Sequence, residues 1–275
     1  MNQLKYLLGH AELKVLDFNI HTRTEMKTFG RSLPCTMMSY HKKGEARLSV
    51  NGSTYNIVPG TVVYIPPNVR HDHYKTSHEE TVFLWWHFNY EIANIVDVLK
   101  LFQIPHTFKL RDSDRFENVF RQFRDLTDHS GILPSTILKQ AKAMELLYLL
   151  LDNAVSGDEV FADPPAVNFL GILAKIVQHP ERPISLQQLA DELHMHPTYI
   201  CNRFKELFGK SPIQAQKELK IQKAQTLLQT TELSVTEISQ MLGFSEIQNF
   251  SRLFKTYIHV SPLEYRAVYK KMQRV

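Results

Sequence analysis

The chain has 275 residues, of which 43% are hydrophobic, and a formal net charge of +4. This size and composition suit two modest globular domains, and no apolar run approaches the roughly 20 residues that a membrane-spanning helix needs. The N-terminus lacks the order of a signal peptide, and the only cysteines are Cys35 and Cys201, which excludes a cysteine-rich metal module and makes a disulfide improbable. We therefore expect a cytoplasmic protein without a membrane partner.

The positive charge is concentrated toward the C-terminus. Residues 163–275 carry 14 Lys and Arg against 10 Asp and Glu, whereas residues 1–162 carry 18 of each. The whole charge excess therefore belongs to the C-terminal part, which is a mild indication of a polyanionic partner there.

The first part of the chain is typical of short strands separated by turns. Residues 27–90 contain the β-branched run "TVVYI", the alternating run "TYNIV", an Asn-Gly turn at 51–52 and a Pro-Gly turn at 59–60. These patterns favour antiparallel strands in a small barrel.

The run "FLWWH" gives the predicted barrel an aromatic face. Its alternation puts Phe83, Trp85 and His87 on one side of a strand, and Leu84, Trp86 and Phe88 on the other. One side should line the interior and the other should pack against helices. An aromatic plate with polar neighbours suits a sugar, because the ring packs on C–H groups while the polar edges bind hydroxyls.

From about residue 91 the apolar spacing becomes helical. "DSDRFENVFRQFRDLT" and "STILKQAKAMELLYLLLDNAV" are predicted helices, with Ser113 and Ser135 as their N-caps. The second helix has two apolar stripes, which consist of Ile137, Ala141, Met144, Tyr148 and Leu151, and of Leu146, Leu147 and Leu150. One barrel needs only one stripe, so we expect residues 135–152 either to pair with a second subunit in a homodimer or to be buried within the domain.

Residues 155–165, "VSGDEVFADPP", have the small, acidic and proline-bearing composition of an interdomain linker. No strand is predicted beyond them. Helical patterns cover 166–179, 185–193, 197–208, 212–229, 234–242, 246–258 and 262–271.

A Phe-Lys-x(5)-Ser-Pro phrase occurs twice in this helical part, fifty residues apart. Each copy follows the same construction, in which an amphipathic helix, "SLQQLADEL" or "SVTEISQML", leads through a turn into a second helix. Ser185 and Ser234 are predicted N-caps, Pro197 suits a first helical turn, and Gly243 supplies a tight turn. Each copy is therefore predicted to be a helix-turn-helix, although two helical hairpins could also form a plain bundle.

The second helix of such a unit can enter the major groove of DNA. Its core face should contain Ile200, Phe204 and Leu207 in the first copy, and Phe250, Leu253, Phe254 and Tyr257 in the second. The outward residues, which are our candidates for DNA contacts, are Thr198, Cys201, Asn202 and Lys205 in the first copy, and Gln248, Ser251, Arg252 and Lys255 in the second.

This C-terminal stretch resembles the DNA-binding domain of the AraC/XylS family of bacterial transcription regulators. The resemblance covers about 100 residues and is clearest in "TELSVTEISQMLGFSEIQNFSRLFKTYIHVSPLEYR". The family pattern is met by Gly243, Phe244, Phe250, Arg252, Phe254, Lys255, Ser261, Pro262, Tyr265 and Arg266. Ser239 replaces the usual alanine and His259 the usual glycine. Double-stranded DNA is the implied partner, and RNA polymerase is a further candidate.

The N-terminal part resembles, more loosely, the cupin-type ligand-binding domain of the same family, through "VNGSTYNIVPGTVVYIPPNVRH" and "LWWHF". In the arabinose-responsive member of the family the matching tryptophan stacks on the sugar, which implies that the face of Trp85 is interior. The candidate ligand-binding residues are Arg31, His73, Phe83, Trp85 and His87. Two alternatives remain open: Arg31 could be a solvated surface residue, and Trp85 could be a residue of the hydrophobic core.

A metal site is not expected. Cupins often bind a metal through a His-x-His pair, a glutamate and a later histidine, whereas this chain has only the pair His71 and His73, without a carboxylate in register. Neutral histidines that line a pocket or cap a turn are the favoured reading. No cofactor, catalytic triad or phosphate-binding glycine loop is predicted.

The sequence thus predicts an α+β protein that is not an enzyme but a sugar-responsive regulator. Its expected parts are a cupin-like antiparallel β-barrel at 1–95, helices for dimerisation at 96–160, and an all-α domain with two helix-turn-helix units at 163–275. The alternatives are a metal-dependent cupin enzyme fused to a DNA-binding domain, and a constitutive regulator whose barrel only dimerises.

Overall fold

The structure is a computed structural model that describes residues 2–75, 77–126, 131–155 and 166–272. The described residues form two compact units. The sheet unit comprises residues 11–91 and 97–155, and the helical unit comprises residues 2–10, 92–96 and 166–272. The linker predicted at 155–165 lies outside the described residues, apart from Val155.

The sheet unit contains two antiparallel sheets. Its strands are β1 (Ala11–Arg23), β2 (Lys27–Arg31), β3 (Thr36–Lys43), β4 (Ala46–Val50), β5 (Ser53–Ile57), β6 (Thr61–Ile65), β7 (His71–Tyr74), β8 (Thr81–Ile92), β9 (Val96–Asp97) and β10 (Thr107–Lys109). One sheet has the order β1-β8-β3-β6-β10, with β9 also on β8, and the other has the order β2-β7-β4-β5. The strands therefore form the cupin-like antiparallel arrangement predicted from the sequence, as a pair of sheets that does not close completely into a barrel.

The predicted turns follow from local backbone preferences. Asn51 and Gly52 have φ angles of 51° and 77° and join β4 to β5, which is why the chain uses Asn-Gly there. The run "TVVYI" is β6, which is buried along its whole length between β3 and β10.

Two helices cover one face of the larger sheet. They are α2 (Ser113–Asp125) and α3 (Ile132–Ala154). The core between sheet and helices contains Trp86 and Phe88 from β8, Phe116, Phe120 and Phe123 from α2, and Leu146, Leu147 and Leu150 from α3. The outward side of "FLWWH" therefore packs against helices, as predicted.

The helical unit begins with α1 (Asn2–Leu8), which contacts α4 (Ala166–Gln178). The remaining helices are α5 (Leu186–Leu193), α6 (Pro197–Phe208), α7 (Pro212–Thr230), α8 (Val235–Met241), α9 (Ile247–Ile258) and α10 (Pro262–Met272). All seven helices predicted after the linker are present, and residues 166–272 contain no strand. No described helix is both long and apolar enough to span a membrane.

The N-cap predictions had mixed outcomes. Ser185 and Ser234 cap α5 and α8, where their side chains accept backbone N–H groups of Gln188 and Glu237. The prediction of Ser113 is wrong, because the carboxylate of Asp112, one residue earlier, accepts the N–H of Arg115.

The prediction of Ser135 as an N-cap is also wrong. The helix α3 begins three residues earlier, at Ile132, and includes Pro134 in its first turn, where the missing N–H group costs nothing. Ser135 is buried inside this helix, and its hydroxyl donates to the carbonyl of Gly131 at 2.7 Å.

The loop between α4 and α5 is held between α7 and the turn of the second helix-turn-helix. The side-chain amide of Gln216, on α7, donates to the carbonyls of Pro180, at 3.0 Å, and Arg182. Gly243 has a φ of 71°, and its Cα lies so close to Glu181 that a Cβ would overlap the Glu181 carbonyl oxygen. This packing ties the second helix-turn-helix to the segment that leads into the first.

Gly243→Ala should destabilise the helical unit more than Gly209→Ala does. Gly209, the C-cap of α6, has a φ of 78° but open space around its Cα, so alanine there loses only about 1–2 kcal/mol for the left-handed backbone. Alanine at 243 meets the same backbone cost and also the Glu181 carbonyl. Chemical denaturation followed by far-UV circular dichroism measures both losses, and equal losses would contradict a close Gly243–Glu181 contact.

Candidate functional site

The second helix of each helix-turn-helix has the same pattern of exposure. In α6, Thr198, Asn202 and Lys205 are exposed and Cys201 is half-buried. Fifty residues later, in α9, Gln248, Arg252 and Lys255 are exposed and Ser251 is half-buried. The structure thus places all eight sequence-predicted residues away from the core, in matching positions on the two helices.

The opposite faces of these helices are anchored in the helical unit. Ile200 and Phe204 in α6, and Phe250 and Phe254 in α9, are fully buried. Leu207, Leu253 and Tyr257 are half-buried, and Phe208 is a buried residue of α6 that the sequence analysis did not select. Because these anchors are large and apolar, the polar faces of α6 and α9 are fixed toward solvent.

The outer face of α9 carries polar groups that are held in place. The Arg252 guanidinium donates to the Asn249 side chain at 3.1 Å, and Asn249 in turn donates to Glu246 at 3.4 Å. An exposed arginine at this position can present its planar fork to an acceptor pair on a base edge.

The two departures from the family pattern fit the local backbone. His259 ends α9 with a φ of 66°, the left-handed conformation that glycine adopts without strain. Ser239 in α8 is only 2% exposed, so a small side chain is required at that position. Neither residue lies on the outward faces of α6 and α9.

The sheet unit contains a cavity of about 340 Å³. All five sequence-predicted ligand-binding residues, Arg31, His73, Phe83, Trp85 and His87, line it. The other lining residues were not among the predicted ligand contacts; they are His21, Arg23, Glu25, Met26, Lys27, Thr28, Met37, Ser39 and His71.

Cross-strand pairing explains part of the lining. On β3 and β8, Ser39 lies opposite Trp85, and Met37 lies opposite His87. The alternation of Met37, Ser39 and His41 along β3 is a signal that could have identified the first two as interior. His21 and Arg23 come from β1, a strand that the sequence analysis did not predict.

The Trp85 indole is surrounded by imidazole rings. Its ring centroid lies 4.7 Å from that of His87 and 5.2 Å from that of His21. The ring of Phe83, on the same side of β8 as Trp85, stacks with the His41 ring. The two ring centroids are 5.4 Å apart, with 15° between the ring planes. The cavity wall is therefore an aromatic plate edged by nitrogen donors and acceptors.

Burial keeps the cavity histidines neutral. Desolvation, reinforced by the charges of His71 and Arg31, lowers the pKa of His73 to about 4. Desolvation, with the nearby His73, lowers the pKa of His41 to about 3. The pKa values of His21, His71 and His87 are also lowered, in each case chiefly by burial. At neutral pH these rings can each donate one hydrogen bond and accept another.

Metal ligands do not converge in this cavity. Within residues 2–75, 77–126, 131–155 and 166–272, no group of three or more His, Cys, Asp or Glu side chains has the geometry to hold a metal ion. His71 and His73 both point inward from β7, but they line the cavity together with Arg31, a cation.

The two stripes of α3 have different environments. Leu146, Leu147 and Leu150 are buried against the sheet. The other stripe faces solvent at Ile137, Met144 and Tyr148, which are 61%, 40% and 56% exposed, whereas Leu151 at its end is half-buried against the core. Ile132 and Leu133, at the start of the helix, are also exposed. A row of large apolar side chains of this kind is unusual on a free surface.

Two family models match the chain. One, described as a helix-turn-helix domain, matches residues 189–267, and the other, described as a cupin domain, matches residues 37–87. The first therefore contains both α6 and α9, and the second contains β3 to β7 and the part of β8 that lines the cavity.

Relatives match across both units. The MmsAB operon regulatory protein of Pseudomonas aeruginosa is 24% identical over 242 residues, which are 84% of this chain and 74% of that protein. The HTH-type transcriptional activator RhaS of Escherichia coli O1:K1 is 25% identical over 231 residues, which are 78% of this chain and 79% of that protein. The HTH-type transcriptional regulator YisR of Bacillus subtilis is 24% identical over 250 residues, which are 83% of this chain and 84% of that protein.

The matched domains and relatives are those of AraC/XylS-type transcription regulators, to which the chain is similar over most of its length. This regulator combines a cupin-like unit with a DNA-binding unit that contains two helix-turn-helix motifs. Double-stranded DNA is the partner of the second unit.

Acidification should destabilise the sheet unit of this regulator through its buried histidines. Because the folded pKa of His41 is about 3 and its ordinary value is 6.5, the unfolded chain takes up the proton first as pH falls below 6.5. His41 alone then costs about 2 kcal/mol at pH 5. The pKa of Asp97 is raised to about 6, so its protonation stabilises the folded state as the pH falls. The contribution of His41 is therefore isolated by comparing a His41 variant with the unaltered protein.

Denaturation followed by tryptophan fluorescence measures this difference, since the only two tryptophans, Trp85 and Trp86, are both in the sheet unit. The loss of unfolding free energy between pH 7 and pH 5 should be smaller in His41→Gln than in the unaltered protein by about 2 kcal/mol. Identical pH dependences in the two proteins would show that His41 is already protonated or solvated in the folded state.

Proposed function

We propose that the chain is a ligand-responsive transcription regulator, and not an enzyme, that acts in the cytoplasm and controls genes in response to a small carbohydrate-like effector. The regulatory role is supported by the polar faces of α6 and α9. Their matching exposed residues are fifty positions apart, and the opposite face of each helix is buried. We assign effector binding to residues 1–95, dimerisation to residues 96–160 and DNA binding to residues 163–275.

The two polar faces are proposed to read successive major grooves. The helix α7, which joins the two helix-turn-helix units, has 19 residues and is about 28 Å long at about 1.5 Å per residue. This length is comparable with the roughly 34 Å of one DNA turn. Arg252 is assigned to a guanine, Gln248 and Asn202 to adenines, and Lys205 and Lys255 to phosphates. Thr198, Cys201 and Ser251 complete the two surfaces.

The cavity is proposed as the effector site. The Trp85 ring offers an apolar plate for the C–H face of a sugar, while His73, His87 and Arg31 supply polar contacts. Phe83 closes the same wall and stacks on His41. The volume of about 340 Å³ suits a ligand of monosaccharide size.

A homodimer through the 135–152 segment is also proposed. The exposed stripe that contains Ile137, Met144 and Tyr148 needs an apolar cover, and the same stripe on a second copy supplies one with helical spacing. Since one relative is named a transcriptional activator, RNA polymerase remains a candidate partner of this regulator.

An enzyme with a cupin active site is the principal rival. That activity needs a bound iron, manganese or zinc ion, so elemental analysis of the purified protein separates the two functions. A stoichiometric metal would favour the enzyme, whereas a metal-free protein that shifts a DNA fragment favours the regulator. A constitutive regulator is distinguished by a sheet unit that no small molecule stabilises.

Arg252→Ala and Lys255→Ala should affect DNA binding in different ways. Loss of Arg252 should cost about 1–3 kcal/mol at one base pair and relax the preference there, because a base contact carries sequence information. Loss of Lys255 should weaken all sequences about equally and make the salt dependence shallower, since a phosphate contact releases counterions. Binding measured against a panel of single-base variants of a selected site reports both effects.

Lys205→Ala, at the matching position of α6, is the control for Lys255→Ala and should behave in the same way. An Arg252→Ala protein with an unaltered base preference would contradict the assignment of α9 as a recognition helix.

A further inference from the structure

The Arg31 guanidinium lies in the cavity wall without a counter-ion. Arg31 is half-buried, and within the described part of the chain its side chain makes no ion pair and no hydrogen bond. Burial is the main cause of the lowered pKa values of His71, His73 and His87, and the nearby Arg31 charge lowers each of them further. A partly buried cation of this kind is favourable only when an anion or several acceptors accompany it.

A β-bulge directs Arg31 into the cavity. The register between β2 and β7 shifts between Thr28 and Arg31, so that Arg31 lies opposite His71. Gly30, within the bulge, has a φ of 62°, and its N–H donates to the Asp72 side chain at 2.6 Å. Thr28 and Arg31 consequently both line the cavity, while Phe29 between them is 64% exposed. The inward arginine is therefore a product of local backbone geometry.

The acidic side chains nearby are engaged elsewhere. Glu25 is the only acidic residue among the described residues that line the cavity, and it pairs with Lys27 at 3.7 Å on the exposed rim. Asp72 accepts the Gly30 N–H group. Among the described lining residues, no carboxylate pairs with Arg31, and the rim adds the positive charges of Arg23 and Lys27.

Three more polar atoms in the wall are buried and have no hydrogen-bond partner among the described residues. They are the Trp85 Nε1, the Ser39 Oγ and the His73 Nε2. The indole N–H is only a donor, and the serine hydroxyl is both donor and acceptor. Since unsatisfied buried polar groups are costly, these atoms indicate an occupant that carries several oxygen atoms.

We propose that the effector is a small hydroxylated carboxylic acid, such as a uronate or an aldonate, whose carboxylate pairs with Arg31 while its hydroxyl groups bind Ser39, His73 and the Trp85 N–H. This inference rests on the proposed effector site and specifies its ligand class. The planar fork of an arginine matches a carboxylate through two parallel hydrogen bonds.

Other anions fit this cavity less well. A long aliphatic acid fits less well because the apolar lining residues, Met26, Met37, Phe83 and Trp85, share the wall with the polar rings of four histidines. A phosphate ester would bring up to two negative charges to Arg31, the single half-buried cation, since Arg23 and Lys27 are exposed. A monoanionic carboxylate balances that one charge.

Calorimetric titration of the ligand-free full-length protein tests the ligand class. The probes are glucuronate, galacturonate and gluconate, their neutral parents glucose and galactose, and glucose 6-phosphate. At least one acid should bind about tenfold or more tightly than its neutral parent. In Arg31→Gln that preference should vanish, with a loss of affinity for the acid of about tenfold to a hundredfold.

Two further variants control for misfolding. Arg31→Lys should retain part of the preference, because it keeps the charge but not the fork. Arg47→Gln, an equal change at an exposed position on β4 outside the cavity lining, should leave acid binding unchanged. The tryptophan fluorescence transition verifies that each variant is folded.

Several outcomes would overturn the proposal. A neutral sugar that binds more tightly than its acid would refute the acid class and leave the effector site in place. Preferential binding of glucose 6-phosphate would replace the carboxylate with a phosphate. If none of these probes binds, or if Arg31→Gln keeps the acid preference, the assignment of Arg31 to a carboxylate is wrong, while the DNA-binding test with Arg252→Ala stands independently.

Discussion

Recognition of DNA by this regulator depends on how firmly its two helix-turn-helix motifs are held together. The loop at 180–182 provides that restraint, since Gln216 on α7 binds two of its carbonyls and Gly243 packs against its Glu181. The central helix α7 alone could bend or rotate at its ends. The added contact joins the turn of the second motif to the segment that precedes the first, so the two polar faces keep one spacing and one relative orientation.

The sheet unit follows a different principle, in which polar side chains are buried before a ligand arrives. Desolvation keeps His41 and His73 neutral, and several wall atoms have no hydrogen-bond partner in the part of the chain that the structure describes. Such an interior is less stable by itself than an apolar one would be. An occupant that supplies the missing hydrogen bonds therefore stabilises the sheet unit directly, and this energetic difference is what a sensor needs to favour its ligand-bound state.

The sequence predicts the helical unit more completely than the sheet unit, for physical reasons. The helices of residues 166–272 are amphipathic and locally capped, so periodicity and cap residues specify most of their bounds. Strand β1 was missed because the alternation of its burial shifts by one residue between Leu16 and Asp17, which breaks the period-two pattern. The inward direction of Arg31 depends on a bulge at Gly30, which a period-two reading does not anticipate, although the family resemblance suggested the residue. The N-caps failed at Ser113 and Ser135, where Asp112 and a first-turn proline compete for the helix start.

Footprinting of the protein on a DNA site selected from genomic fragments tests the central claim most directly, namely that α6 and α9 read DNA as one rigid pair. Each protomer should protect an asymmetric site of about 17–20 base pairs, with two major-groove contacts about one turn apart. An insertion of about half a turn between those contacts should abolish tight binding, because α7 and the 180–182 loop hold the spacing. A minimal site that is a short palindrome, with less than about one turn protected per protomer, would show that one motif reads DNA and the other is only scaffold.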